Sequence, residues 1–463
     1  MMTAYSLSQL SCILNATLVG DGDIVPMGVS LDSRTTMRGD CFVALRVGRD
    51  GHEFARDAVL QGATCMLVDH NLGMDMPQLV VKDTLEALQA WGGARLKAFR
   101  PEVVFGVTGS VGKTSAKELL AGATSAWKTP GNRNNAFGLP AALATLPAGL
   151  HSAVLEMGMS TPGEIGKLTE IAPLDFGVIT NVGDAHLENF PTGRQGIAEA
   201  KGELVSGIRP GGAWVFPAGD TWCGWIAQQK SALNTKPVPV GDGAEFFVVF
   251  AKSLGPKGEL FALRSPMGEH EFEIKLKGRH QVQNAALAAS IALLAGFGGE
   301  EIARGLTCVG PEYGRGRLSA LRGGGWLLDE SYNACQESML SCASALLELD
   351  GGEPIAVLGC MRELGPASAT IHETTGRGLR RAGISRLWVY GDYANELALG
   401  FGVGAAAYPD YGTLEPALAG LPQGARILVK GSRHWMAERA VERILRLFGG
   451  AGQTHLNVTE RTK

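Results

Sequence analysis

The chain has 463 residues, too many for one hydrophobic core, so roughly two to four domains are expected. Hydrophobic residues make up 45% and charged residues 19%, which excludes a disordered chain, and a net charge of -4 leaves no basic surplus for wholesale binding to nucleic acid or to an anionic membrane. The 64 glycines fall in short loops after apolar runs without a collagen-like period, the pattern of an α/β protein with many strand-to-helix turns.

The first residues, MMTAYSLSQLSCILNATLVG, carry no basic leader and no uninterrupted apolar core, so no signal peptide is expected. Strand-like runs follow, DCFVALRV, ATCMLVD and QLVVKD, separated by helical stretches such as HEFARDAVLQG. From PEVVFGVTG onward strand, glycine loop and helix alternate: SAVLEMGM from Ser152, FGVITNVGDAH from Phe176, GAWVFPAGD from Gly212. That alternation predicts a mainly parallel sheet with crossover helices. The most apolar window, AALAASIALLAGFGG from Ala285, is too short for a membrane span and reads as a buried helix. After the GRGR at Gly314 a third α/β unit begins, with strands GWLLDE, PIAVLG, SRLWVYGD and ARILVKGS. The expected units are therefore 1–100, 101–315 and 316–463. The 8 cysteines contain no C-x-x-C pair, so a soluble protein of a reducing cytoplasm is expected, without zinc site or disulfide framework.

The chemistry starts at GVTGSVGKTSAKELL, Gly106 to Leu120. The general phosphate-loop pattern G-x-x-x-x-G-K-[ST] wants a glycine where Val107 stands. The rest fits: VVFGV suits a buried strand, SAKELLAGATSAW continues as a helix, and the turn holding Gly109, Ser110 and Gly112 aims backbone N–H groups and a helix N-terminus at a phosphate. Lys113 is then placed to reach the terminal phosphates and the Thr114 hydroxyl to bind Mg²⁺. The bland alternative is a structural glycine turn with a surface lysine. Glu156 ends one strand and His186 lies just past another, on the rim that a doubly wound sheet shares with its phosphate loop. A carboxylate and an imidazole there suit a metal beside the γ-phosphate, although imidazole is an unusual partner for Mg²⁺. Taken alone, His186 reads as an ordinary loop histidine and Lys201, set at a helix start in EAKGELV, as a solvated charge.

Taken in order, TGSVGKTSAKE, GNRNNAFGLP, LEMGMSTPGEI, ITNVGDAHLENF, AKGEL, GRHQVQNAALAA, GRGR, DESYNA and VKGSRHWMAERA resemble the Mur ligase family, and the resemblance runs through nearly the whole chain. VSLDSRTTMRGDCFVAL near the start is similar to the uridine-nucleotide-binding N-terminal domain of one branch. The resemblance implies an α/β protein of three domains: a small N-terminal α/β domain for the UDP-linked substrate, a central P-loop mononucleotide-binding parallel sheet, and a Rossmann-like C-terminal ligase domain. It implies an ATP-dependent amide ligase working through an acyl phosphate. The branch is the one that adds D-alanyl-D-alanine to UDP-N-acetylmuramoyl-tripeptide, the last cytoplasmic step of peptidoglycan precursor synthesis. Both molecules are then substrates, and a monomer without nucleic-acid partner or membrane span is expected.

Carried over residue by residue, the resemblance gives Gly109, Ser110, Gly112, Lys113 and Thr114 the triphosphate and one Mg²⁺, shares Glu156 between two metals, and makes His186 a ligand of the second. Lys201 matches the family's carbamylated lysine, in which added CO₂ turns a cation into a carboxylate-like ligand. Asn284, Tyr332 and Asn333 fall where the family contacts ATP, and Arg315 resembles the arginine that reaches the γ-phosphate, with Arg317 a close competitor. Lys113, His186, Lys201 and Arg315 form the expected catalytic set. Asn132 and Asn135 look like substrate-binding asparagines, or members of a tight turn. Ser30, Asp32, Ser33 and Arg34 match the segment facing the UDP end, and Lys430, Ser432 and Arg433 suit nucleotide and acceptor recognition. The third unit departs from the family. D-D-S-Y-N-A-N-P reads DESYNACQ, with Glu330, Cys335 and Gln336, and L-G-D-M-x-E-L-G reads LGCMRELG, with Cys360 for an acid. These changes bear on the acceptor and motivate a second reading, a ligase-like paralogue with altered acceptor or lost turnover that acts by binding. A kinase or other NTPase rests on the loop alone. Contacts spread over three units imply domain closure, with hinges near residues 100 and 315.

Overall fold

Three open sheets of five, six and six strands organise the chain in the computed structural model, which describes residues 5–450. The first four residues of the N-terminal stretch read above lie outside the described residues. Thr17–Val19, Gln78–Val80, Cys65–Val68, Asp40–Val43 and Gly28–Ser30 form the first sheet, parallel apart from the Thr17–Val19 edge. The helix Thr84–Ala98 covers it and leads to the second sheet. Asp83 caps that helix by accepting from the Leu85 and Glu86 amides, which satisfies two donors that have no intrahelical acceptor.

The central sheet is parallel throughout, in the order Lys236–Val240, Ile208–Pro217, Leu174–Ile179, Val103–Thr108, Ser152–Glu156, Trp127–Lys128. Its middle strands are apolar on both faces because helices cover both. Val104 and Leu155 pack with Leu139 and Leu204 on one side, while Phe105, Val107 and Val154 pack with Leu119, Leu120 and Leu287 on the other. The apolar window from Ala285 belongs to the helix Arg279–Leu294, which is buried along most of its circumference. Phe261 and Phe272 join its cluster from a three-stranded antiparallel sheet, Phe247–Ser253, Glu259–Ser265 and Gly268–Ile274. This sheet is absent from the reading of a purely alternating central unit. Its signal is GPKGE and PMGE, two glycine-containing turns between strand-like runs.

The third sheet runs Arg317–Leu321, Gly325–Glu330, Arg426–Lys430, Pro354–Gly359, Arg386–Tyr390, Ala405–Tyr408, parallel except for its first strand. Alternate residues serve opposite cores, Leu328, Ala356 and Leu358 on one face, Leu327, Ile355 and Val357 on the other. Central and third units touch along one boundary, where the buried Lys277 pairs with Glu259 at 2.8 Å and with Glu348 of the third unit at 3.1 Å. Among the described residues, no helix is long and apolar enough to cross a membrane.

Candidate active site

The carboxyl end of Val103–Thr108 turns through Gly109 (φ 151°) and Gly112 (φ 83°) into the helix Lys113–Ala123. Ser110 and Val111 donate their amides to Asn181 Oδ1 at 3.0 and 2.9 Å, so the first half of the loop is fixed from the neighbouring strand end. The first-turn amides of the helix remain as donors, and the Lys113 side chain folds back on Gly109 O (2.7 Å) and Ser110 O (3.2 Å). Burial lowers the Lys113 pKa, opposed by the Glu156 charge.

Opposite the loop, Thr114 donates to Glu156 Oε2 at 2.9 Å and Asn134 Nδ2 donates to Oε1 at 2.7 Å. Lys117, one turn beyond Lys113, is fully buried, lies 3.7 Å from Glu156 and holds Thr129 O and Gly131 O. Asn132 is exposed on the cleft wall, and Asn135 Oδ1 accepts from Gly138 N at 2.8 Å, a local turn contact. His186 (φ 63°) lines the cleft seven residues past Leu174–Ile179, and its Nδ1 lies against Glu363 of the third unit. That contact holds the Glu363 carboxyl below the usual carboxylate range.

The helix position expected for Lys201 needs correction, and the alternative of a solvated charge falls away. The helix that carries it starts at Arg194, after Gly193 turns the chain with φ 65°, so Lys201 sits mid-helix. Its side chain is buried instead of solvated. Burial pushes its pKa well below the lysine value, and the Lys113 charge adds to the effect.

The other wall comes from the third unit and the start of Arg279–Leu294, and the cleft between encloses about 1280 Å³. Asn284 packs so closely on the loop that a Cβ on Gly112 would lie 2.7 Å from its Oδ1. Arg315 lines the cleft, its guanidinium carbon 4.0 Å above the Tyr332 ring, whereas Arg317 is exposed on the edge strand. Asn333, Lys430, Ser432 and Arg433 line the same wall. Lys430 Nζ lies 3.5 Å from Glu330 Oε2, and both side chains are buried.

The departures divide. Glu330 and Cys335 line the cleft, and burial pushes the Cys335 thiol up to about 11. Gln336 bonds Thr375 Oγ1 at 3.2 Å away from it, and Cys360 sits in the hydrophobic core, its thiol pushed up to about 12 by burial. Ser30, Asp32, Ser33 and Arg34 stand apart from this cleft: Asp32 caps the short helix Ser33–Thr35 and binds Arg34 at 2.6 Å, leaving that arginine exposed. Asn134, Asn181, Lys117 and Glu363 were not singled out in the sequence. Lys117 was within reach of it, four residues after Lys113 on one helix face. The other three depend on loop side-chain directions that no periodicity encodes.

Comparison with known proteins agrees with this arrangement. Residues 107–292 match the family description "Mur ligase middle domain" and residues 316–433 match "Mur ligase, glutamate ligase domain". The chain is 34% identical over 452 residues to the UDP-N-acetylmuramoyl-tripeptide--D-alanyl-D-alanine ligase of Escherichia coli (strain K12), covering 95% of this chain and 98% of that one. It is 32% identical to the enzyme of that name from Bacillus subtilis (strain 168), over 81% and 82% of the two chains. Among solved structures, MurF from Acinetobacter baumannii superposes with a TM-score of 0.86 at 29% identity, covering 96% and 99% of the two chains. MurF ligase from Thermotoga maritima in complex with ADP gives 0.78 at 27% identity over 91% and 97%. The fold is thus the three-domain one, with a P-loop-type middle domain and a Rossmann-like C-terminal domain. A phosphate loop opening onto a cleft whose far wall belongs to a second α/β sheet therefore has a family to go with its geometry: the chain belongs to the Mur ligases.

Proposed function

We propose that this chain is an ATP-dependent, ADP-forming ligase that joins D-alanyl-D-alanine to the free carboxylate of a UDP-N-acetylmuramoyl-tripeptide, as its relatives' names state of them. The observation that carries the reading is the single cleft that unites the loop Ser110–Thr114, Glu156 and His186 with Arg315, Tyr332, Glu330 and Lys430 of the third unit. A carboxylate is inert toward amines until it is activated. In this reading the γ-phosphoryl group of ATP moves to the tripeptide carboxylate and ADP leaves. The dipeptide amine then attacks the acyl carbon, phosphate leaves, and the amine gives up a proton. Charge builds between nucleotide and carboxylate, so the site calls for fixed cations more than for proton carriers.

The residues fit Mg²⁺. Glu156 and Thr114 offer hard oxygen atoms at the helix start, and the carboxylate is held by two neutral donors. Bound there, Mg²⁺ supplies neutralisation of phosphate charge. His186 is the candidate ligand of a second ion. Lys201 fits carbamylation: its buried amine is biased to the neutral, nucleophilic form, and the negative carbamate would face Lys113 instead of opposing it. Lys113 leaves its loop carbonyls for the terminal phosphates, Asn284 and Asn333 flank the nucleotide, and Arg315 reaches it from the third unit. Asn132, Asn135 and the segment Ser30, Asp32, Ser33 and Arg34 take the UDP-linked substrate, and Lys430, Ser432 and Arg433 take part in acceptor recognition. The units 1–100, 101–315 and 316–463 serve UDP substrate, ATP and acceptor in a cytoplasmic monomer. The test is phosphate release from ATP with UDP-N-acetylmuramoyl-tripeptide, with and without D-alanyl-D-alanine. Release that needs both, with a product heavier by the dipeptide, is expected. ATP and UDP-substrate binding without release overturns it in favour of a non-catalytic paralogue, the reading that Glu330 and Cys335 in the cleft would support.

A further inference from the structure

Five non-glycine residues among those described have a left-handed backbone, and two of them, His186 and Glu363, both with φ 63°, face each other across the boundary between the central and third units. Such backbone is held only where the surroundings over-determine it, and it clusters at functional contacts. Here the surroundings are tight. Glu188 donates its amide to the Glu363 carbonyl at 3.2 Å, and a Cβ on Gly365 would approach Glu188 Cβ to 3.2 Å. A second pair, Arg194 with Glu337 at 3.6 Å, joins the same two units, and a Cβ on Gly183 would lie 2.9 Å from Glu337 Oε1. His186 starts the short helix Leu187–Asn189 without capping it by its side chain, so its strained backbone serves no local cap.

The chemistry of the contact is directional. Two lone pairs cannot share the space between His186 Nδ1 and the Glu363 carboxylate, so a proton lies between them even though the contact lacks the alignment of a hydrogen bond, and Nε2 is left as the ring's ligand atom. A carboxylate behind an imidazole is how metal-binding histidines are held in one tautomer and one orientation. In this chain that carboxylate comes from a different unit than the imidazole. We propose that Glu363 is a positioning residue, delivered by the third unit, whose contact with Nδ1 prepares His186 for a divalent cation at the nucleotide site only while the two units are docked. The inference rests on the ligase reading for the role of His186, and it ties that role to the seating of the acceptor-binding unit. Cation binding and docking then favour each other, by the reciprocity that any coupling of two equilibria requires.

The test uses the full chain with two substitutions. Glu363→Gln keeps an acceptor for Nδ1–H. Glu363→Gly removes the carboxylate and also relaxes the left-handed backbone, so it does not lose the fold through strain. Mn²⁺ is the probe, its binding in the presence of ATP read by electron paramagnetic resonance, with small-angle scattering recorded on the same samples. Glu363→Gly is expected to weaken Mn²⁺ binding by about 10–100-fold and to lose the compaction in scattering expected of the wild type on adding Mn²⁺ and ATP. Glu363→Gln is expected to stay within about threefold of the wild type. Equal Mn²⁺ affinity in wild type and Glu363→Gly overturns the inference while leaving the ligase reading intact. Absence of ligation by the wild type overturns that reading, and the Mn²⁺ comparison still decides the role of Glu363.

Discussion

Thr114 and Glu156, 42 positions apart in the chain, are joined by a 2.9 Å hydrogen bond from the threonine hydroxyl to Glu156 Oε2. With Asn134 on the other oxygen and the buried Lys117 ammonium paired at 3.7 Å, the carboxylate is oriented by two neutral donors and one cation. The register that sets this up is plain in the sheet, where Glu156 is level with Val107. The first helical turn then brings Thr114 back over the strand end.

Glu156→Gln preserves the shape of this arrangement and removes its charge. Turnover is expected to fall about 10²–10³-fold, the scale of losing one preorganised electrostatic group, and to recover little at high Mg²⁺. Thr114→Ser, which keeps the hydroxyl, is expected to stay within about tenfold, and Thr114→Ala to fall with Glu156→Gln. Phosphate release measured across a Mg²⁺ titration separates the three. Normal turnover by Glu156→Gln would remove the carboxylate from the reaction.

Lys201 gives a pH prediction with a definite sign. Its folded pKa is depressed, chiefly by burial, so between that value and about 10.4 the unfolded chain holds a proton that the folded chain does not. The unmodified lysine therefore destabilises the fold increasingly as pH falls through that window. In CO₂-free buffer Lys201→Met is expected to melt above the wild type at neutral pH, with the gap closing as pH rises toward 10.4. Adding bicarbonate is expected to stabilise the wild type alone and to raise its activity. A melting difference that ignores both pH and bicarbonate would show that the buried lysine is neither penalised nor modified.

What the sequence disclosed follows the physics that writes each feature. The strands Val103–Thr108 and Ser152–Glu156 were legible because burial on both faces demands continuous apolar runs, and the phosphate loop because its glycines adopt backbone that other residues avoid. The antiparallel sheet Phe247–Ser253, Glu259–Ser265, Gly268–Ile274 interrupts the alternation of strand and helix, and its first strand, apolar in FVVFA yet largely exposed, does not reveal which core it serves. Among three asparagines in GNRNNAFGLP, the one that reaches Glu156 is Asn134, and only the loop's dihedrals choose between them. Cys360 drew attention as a lost acid, yet the structure buries it in the core and leaves Glu330 and Cys335 as the departures that touch the cleft.

Glu330 and Lys430 form the ends of adjacent strands, level in register and 3.5 Å apart, with both side chains buried. Removing one charge strands the other, so Glu330→Ala and Lys430→Ala are each expected to cost about 3–5 kcal/mol of stability. Glu330→Leu combined with Lys430→Met is expected to recover most of it, giving a large coupling in a double-mutant cycle followed by denaturant unfolding. Additive losses would show that the two charges do not depend on each other.

The eight thiols should sort by burial. Cys12 and Cys308 are exposed, whereas the other six are buried. Thiolates are the reactive form, and burial lifts Cys335 to about 11 and Cys360 to about 12. Iodoacetamide at neutral pH is expected to label Cys12 and Cys308 and to leave turnover within about twofold, read by peptide mass mapping beside the phosphate assay. Fast labelling of Cys335 would mean that the cleft wall opens far more than its packing indicates.

Gly112 separates a phosphate cradle from a structural turn. An alanine there meets two obstacles, a φ of 83° that side chains avoid and a Cβ 2.7 Å from Asn284 Oδ1. The loop must shift, and with it the first-turn amides of Lys113–Ala123 that have no acceptor inside the helix. If those amides hold phosphate, Gly112→Ala is expected to weaken ATP binding about 100-fold at a stability cost of about 1–2 kcal/mol, since one left-handed residue costs that much. Adding Asn284→Ala relieves the contact but not the dihedral, so it restores little affinity. If the loop only turns the chain, the same substitution lowers the melting temperature and leaves the affinity of the folded molecules unchanged. Titration with a fluorescent ATP analogue beside thermal unfolding tells the two apart, because only a cradle makes affinity fall further than stability.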